Sequence, residues 1–174
     1  MNGAVDVVVA RLLSPVREGT AFVDLPDDHG GPTHFGITVD FLTEATGKAC
    51  TADDVKNLTQ TDAEGIYATW MMKRQFAALP TIPLMDAVTD YAVHSGPGPA
   101  VKALQRAAGV AVDGGLGPLT LAAVGKDDPL ALACAVCAAR ANQWSRDFEN
   151  DPSQRAFAAG WLARLADVLE GMSG

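Results

Sequence analysis

The chain is short of cysteine, aromatic residues and basic charge, and it has no long apolar run. Its 174 residues include three cysteines, Cys50, Cys134 and Cys137, an odd and small number that argues against a disulfide framework. Aromatics are 6% of the chain while alanine is abundant, which favours helices over a sheet-rich fold, where β-branched and aromatic residues dominate. Thirteen basic residues stand against 21 acidic ones, a net charge of -8. Nothing in that balance offsets phosphate repulsion, so a nucleic-acid partner is excluded. The longest uncharged apolar run, Pro129 to Ala139, lies between Asp128 and Arg140 and is about half of the roughly 20 residues a membrane-spanning helix needs. No membrane insertion is expected. The N-terminal apolar stretch, Val5 to Leu13, contains Asp6 and Arg11 and lacks a basic leader, so it does not read as a signal peptide. A protein of this kind is made in the cytoplasm, and work outside it requires another carrier. What is present is a 48% apolar fraction, enough for a core in one domain or two small ones and too much for a disordered chain.

The pattern along the chain is mainly helical. Val5 to Val16 carries apolar residues on one helical face and stops before Arg17 and Glu18. Gly19 to Thr38 is rich in Gly, Pro and Asp and reads as a turn-filled excursion able to hold a short hairpin. Helices then resume. Thr51-Ala52-Asp53-Asp54 and Thr61-Asp62-Ala63-Glu64 read as helix starts, the second as a capping box. Pro80 and Pro83 mark a break. Further helices are expected over Leu84 to His94, Ala100 to Ala108, from Pro118, from Asp128-Pro129 to about Glu149, and from Asp151-Pro152 onward with Phe157, Trp161, Leu165 and Leu169 at helical spacing. Cys134-Ala-Val-Cys137 falls inside a helix rather than opening one and reads as two small buried hydrophobes. Trp70, Trp144 and Trp161 read as core residues. The Asp113 to Pro118 loop lacks the ligand pattern of a calcium loop and reads as a turn.

Chemistry concentrates around the excursion. Glu18 follows a helix C-terminus, where the dipole disfavours a carboxylate's charge. Asp27, Asp28 and Thr33 come next on the expected hairpin. A glutamic acid on one wall of a cleft can protonate a glycosidic oxygen, while a second carboxylate and a hydroxyl on the other hold the attacking water. On spacing alone, Asp27 to Gly31 also reads as an ordinary polar turn.

The run Arg17-Glu18-Gly19, then Pro26-Asp27-Asp28-His29-Gly30-Gly31-Pro32-Thr33-His34-Phe35-Gly36-Ile37-Thr38, resembles the signature of glycoside hydrolase family 108. Its members are N-acetylmuramidases of phage lysis cassettes and the so-called secretion activator proteins. Asp90-Tyr91-Ala92-Val93-His94-Ser95-Gly96 resembles that family's second signature. Ala100 to Arg106 followed by Val112 to Thr120 resembles its predicted peptidoglycan-binding region, and Phe157-Ala158-Ala159-Gly160-Trp161-Leu162-Ala163-Arg164 its C-terminal motif. Four motifs in the family's order cover nearly the whole chain.

The resemblance implies a lysozyme-like, mainly α fold with a short hairpin after the first helix. It implies a muramidase region over 1–90 and a peptidoglycan-binding helical region over 91–174, packed as one unit. Glu18 would be the catalytic acid. The Glu-to-Asp-to-Thr spacing, also similar to that of phage-type lysozymes, points to Asp27 and Thr33, whereas the family's Asp before x-Gly-Gly corresponds to Asp28. One extra residue between Glu18 and Phe22 leaves both carboxylates in play. Two family asparagines are histidines here, His34 and His94. With Phe22 and Tyr91 beside the motifs, they complete the candidate substrate-binding set. The activity implied is cleavage of the β-1,4 bond between N-acetylmuramic acid and N-acetylglucosamine, with peptidoglycan glycan strands as partner and no cofactor or metal. Export would rest on a holin or a secretion system. The alternatives are a catalytically weak peptidoglycan-binding accessory protein and a secreted antibacterial effector with a cognate immunity protein.

Overall fold

A computed structural model describes residues 3–24 and 31–173. The fold is mainly helical with one small antiparallel hairpin, and the chain forms two compact units, Met1–Lys73 and Arg74–Gly174.

In the first unit, α1 (Gly3–Leu12) buries Val5, Val8, Val9 and Leu12 on one face, the three-and-four spacing of an amphipathic helix. The helix ends four residues before the expected Val16. Pro15 has no N–H to bond the Arg11 carbonyl, and it disfavours helical backbone at Ser14. Strands β1 (Thr33–His34) and β2 (Ile37–Thr38) pair antiparallel, Thr33 opposite Thr38 and His34 opposite Ile37. Then come α2 (Val39–Thr46), α3 (Ala52–Lys56) and α4 (Gln60–Lys73). Thr38 ends β2 and caps α2, accepting from the Phe41 N–H. The expected helix start at Thr51 carries a reciprocal capping box with Asp54. The box expected at Thr61 and Glu64 forms two residues earlier. Thr59 N–H donates to Asp62 (2.9 Å), and the Asp62 N–H donates to the Thr59 hydroxyl (3.2 Å). Thr59-x-x-Asp62 offers the same reciprocal pairing as the expected box and lengthens the helix. Helix α4 packs on α1 and α2; Phe41 of α2 meets Tyr67 at 5.3 Å and Trp70 at 5.0 Å between ring centres.

The second unit is built around α5 (Ile82–Ser95), whose residues from Leu84 to Ala92 are buried without a break. A helix apolar or paired on every side is a central one. It packs on α6 (Pro97–Ala107), α8 (Pro129–Asn150) and α9 (Ala158–Glu170), with α7 (Pro118–Val124) between α6 and α8 in the sequence. Pro83 lies in the first turn of α5, capped by Thr81, so it starts a helix rather than breaking one. The last helix begins later than expected. Asp151 caps a six-residue 3₁₀ segment, Pro152–Phe157, and this leaves Phe157 57% exposed instead of on the core face.

The central helix carries a buried charge cluster. Asp90 of α5 accepts from Arg140 of α8 and from Arg164 of α9, the latter at 3.0 Å from Nε. All three are at most 5% exposed. Two cations share one carboxylate, and the Arg140 guanidinium also lies over the Trp144 ring at 4.5 Å.

The small-residue assignments divide. Trp70 and Trp144 are buried, as expected, and Trp161 is half-buried. Cys137 is buried, but Cys134, one turn earlier on α8, is exposed. Burial pushes the Cys137 thiol up to about 12, which removes it as a thiolate at neutral pH. The Asp113 loop is a turn held from within: buried Gln105 donates to the Asp113 carboxylate (2.7 Å) and the Gly115 carbonyl (2.9 Å), and accepts from the Gly114 N–H (2.8 Å).

Candidate active site

Glu18 lies six residues beyond the end of α1, and the chain is folded back onto that end. The Glu18 N–H donates to the Leu12 carbonyl (3.2 Å), and the Gly19 N–H donates to that of Ser14 (3.0 Å). Gly19 takes a left-handed conformation, φ 64°, which costs a glycine nothing. It redirects the chain toward Phe22 and Val23.

The hairpin meets Glu18 from the other side. Its two turn residues, Phe35 and Gly36, have φ of 55° and 71°, the paired left-handed geometry of a type I′ turn. Phe35 is a rare occupant of that region. It is held there by burial and by the Tyr67 hydroxyl, which donates to its carbonyl at 2.9 Å. A methyl group built on Gly36 would overlap the Glu18 carboxyl group and lie 2.5 Å from its Cγ. The glutamate side chain therefore occupies the space that only glycine leaves open.

Thr33 sits at the base of the same hairpin. Opposite Thr38 on one side, it exchanges both backbone hydrogen bonds with Val23 on the other, each 2.8 Å. That pair closes the loop of sequence between Val23 and Thr33. Asp27 and Asp28 belong to that loop and lie outside the described residues. Phe22 and His34 come together, edge to face at 6.0 Å. His34 stacks on Phe35 at 4.1 Å and places Nδ1 3.3 Å from the Val55 carbonyl. Lys56 lies over the Phe22 ring at 5.9 Å. Glu18, Thr33, Phe22 and His34 thus gather about one hairpin.

Tyr91 and His94 belong to the second unit. Tyr91 is 3% exposed, and its hydroxyl donates to Gln143 Oε1. His94 is half-buried between Trp144 (5.3 Å) and Trp161 (4.8 Å), with Nδ1 3.0 Å from the Ser95 hydroxyl. Burial, reinforced by the charges of Arg140 and Arg164 against that of Asp90, holds His94 down at about 3. It is neutral at physiological pH. Gly36 is the site residue that candidate selection by side-chain chemistry passed over. Its signal is the two-residue step Phe35-Gly36 between Thr-His and Ile-Thr, a hairpin-turn pattern.

Residues 15–96 match the model of the family described as Glycosyl hydrolase 108, and residues 99–166 match one described as Predicted Peptidoglycan domain. The solved structure described as Structure of Brucella abortus SagA is similar over 99% of this chain and 95% of its own, with 34% identity and a TM-score of 0.83. The chain belongs to the glycosyl hydrolase 108 family. No curated protein matches it. Membership points to peptidoglycan as the partner of this glycosyl hydrolase 108 chain, with the glycosyl hydrolase match ahead of the peptidoglycan-domain match in the sequence. Among the described residues no helix is long and apolar enough to cross a membrane.

Proposed function

We propose that this protein is an N-acetylmuramidase that cleaves the β-1,4 bond between N-acetylmuramic acid and N-acetylglucosamine, with Glu18 as general acid. The observation that carries the reading is the seating of the Glu18 carboxyl group against Gly36. The turn after α1 and the hairpin turn fix it from two sides, as a group that must meet one oxygen atom requires. Glu18 gives its proton to the glycosidic oxygen as the bond to the anomeric carbon breaks. Asp27 or Asp28, together with the Thr33 hydroxyl, holds the water that attacks that carbon. Phe22 offers a ring face to a sugar, and His34 a hydrogen bond. Residues 1–90 perform the chemistry, and 91–174 hold the wall. The protein works in the periplasm or cell wall, delivered by a holin or a secretion system.

The test is Glu18→Gln, which keeps the shape of the side chain but has no proton to give. It is expected to fold and to sediment with purified sacculi, while release of reducing ends falls by about 10² to 10⁴, the usual worth of general acid catalysis. Near wild-type release by Glu18→Gln would sink the mechanism. Binding without any hydrolysis by the wild-type protein would identify an accessory protein instead.

A further inference from the structure

The second unit carries a cavity of about 550 Å³ between α6 and α8, lined by Tyr91, Lys102, Arg106, Asn142, Gln143 and Arg146. Three of the chain's 13 basic side chains line this one place, in a protein of net charge -8. No carboxylate lines it, and among the described residues none of the three cations forms an ion pair. Lys102 runs past Gly114, its Cε 3.2 Å from where a side chain on that glycine would begin. Gln143 accepts the Tyr91 hydroxyl on Oε1, which leaves its amide N–H₂, the donor end, to the cavity. Two of the three, Arg106 and Arg146, act electrostatically on the tyrosine. Burial raises its pKa, and Arg140, Arg146 and Arg106 oppose that rise, with Asp147 acting the other way. The cavity is therefore rich in donors and positive charge.

We infer that this cavity binds the carboxylates of peptidoglycan stem peptides. The inference rests on the proposed action on peptidoglycan, and all lining residues except Tyr91 fall within the matched peptidoglycan-domain segment. The wall's N-acetylated sugars are neutral, and stacking on them needs an open ring face, which a Tyr91 that is 3% exposed does not provide. Its stem peptides carry the carboxylates, which guanidinium groups bind in paired hydrogen bonds. A volume of this size holds a few residues. The screening length in physiological salt is about 8 Å. A local basic cavity thus captures an anionic polymer that the acidic chain as a whole does not attract.

The experiment uses the full chain. Binding to purified sacculi, to glycan strands freed of peptide by an amidase and with the lactyl carboxylates so exposed converted to methylamides, and to free stem tetrapeptide is measured for the wild type, R106Q/R146Q, the charge-keeping R106K/R146K and the single Lys102→Ala, with circular dichroism as the check on folding. R106Q/R146Q is expected to bind sacculi and tetrapeptide at least tenfold more weakly and with a shallower salt dependence. R106K/R146K is expected to keep the salt dependence while losing part of the affinity, since an ammonium binds a carboxylate as a point charge and not in a pair of hydrogen bonds, and Lys102→Ala to lose a few-fold. Peptide-free strands are expected to bind all four proteins alike. Unchanged binding by R106Q/R146Q, or wild-type binding to peptide-free strands as tight as to sacculi, would overturn the inference. So would displacement of sacculi by inorganic phosphate more effectively than by tetrapeptide at equal ionic strength. Reducing-end release by the wild type is read in parallel. Its absence refutes the muramidase reading and leaves the binding result standing, and the reverse holds equally.

Discussion

The Glu18 side chain rests on Gly36, at the tip of a two-residue hairpin turn, in space that any larger residue would fill. The catalytic candidate and the turn therefore constrain each other. Gly36→Ala meets two obstacles, the left-handed backbone, φ 71°, which costs a non-glycine residue about 1–2 kcal/mol, and the carboxyl group itself. The expected outcome is a modest fall in melting temperature beside a loss of peptidoglycan hydrolysis of about 10²-fold, since displacement by about 1 Å costs that much. Muropeptide release and thermal denaturation, measured on the same preparation, separate the two effects. A variant that loses stability and keeps full activity would show that the seating of Glu18 is incidental.

The two aspartates between Val23 and Thr33 in the sequence, Asp27 and Asp28, are expected to behave unequally. Of Asp27→Asn and Asp28→Asn, the one that removes the water-holding carboxylate loses most of the activity and the other changes it little. Thr33→Ala costs less than Glu18→Gln, because a hydroxyl orients the water without transferring the glycosidic proton. Initial rates on purified sacculi rank the four variants. Equal, small effects from both aspartates would remove them from the reaction.

His94 is held neutral in the folded protein, at about 3, chiefly by burial, whereas in the unfolded chain it titrates near 6.5. The unfolded state therefore takes up a proton as pH falls below about 6.5, and the native state does so only near 3. Stability contributed by the neutral imidazole is present above that range and declines through it, at up to about 1.4 kcal/mol per pH unit. Urea midpoints for the wild type and His94→Asn between pH 4 and 8 test this. The wild type should lose stability on acidification more steeply, and parallel curves would refute the assignment. By the same logic, any activity titration between about pH 5.5 and 7.5 belongs to a group other than His94.

Asp90 holds Arg140 and Arg164 in the interior. Asp90→Asn leaves two buried cations without a counter-charge and is expected to destabilise the protein by about 3–5 kcal/mol. Arg164→Met leaves one cation with one anion and should cost clearly less. Chemical denaturation of both variants checks the order. A smaller loss for Asp90→Asn than for Arg164→Met would mean that Asp90 is not the centre of the cluster.

Directed to the periplasm by an added export signal, the chain is expected to lyse the cell, and in the cytoplasm to be tolerated. Colony counts and optical density after induction decide it. Harmlessness in both compartments would favour the accessory role over the muramidase.

Much of the local structure was legible in the sequence because it depends on neighbours along the chain. First-turn prolines and the Asp128 cap placed the starts of α7 and α8, and the spacing of apolar residues placed α5 and α6 to within about a turn, although Pro97, expected to close α5, starts α6. The Gly- and Pro-rich excursion announced a hairpin. The motif around Glu18 announced the family. Where several local signals competed, the boundary moved: Pro15 stopped α1 early, and Thr59 displaced Thr61 as a cap. Long-range partnership was not legible at all. Asp90, Arg140 and Arg164 are separated by 50 and 74 residues, and a carboxylate within a buried helix signals only that some partner must exist, since a lone buried charge is too costly. The fold alone chose the two arginines. It also brought the Glu18 carboxyl group to Gly36 and gathered Lys102, Arg106 and Arg146 around one cavity, because distances between helices are set by packing, which sequence spacing does not encode.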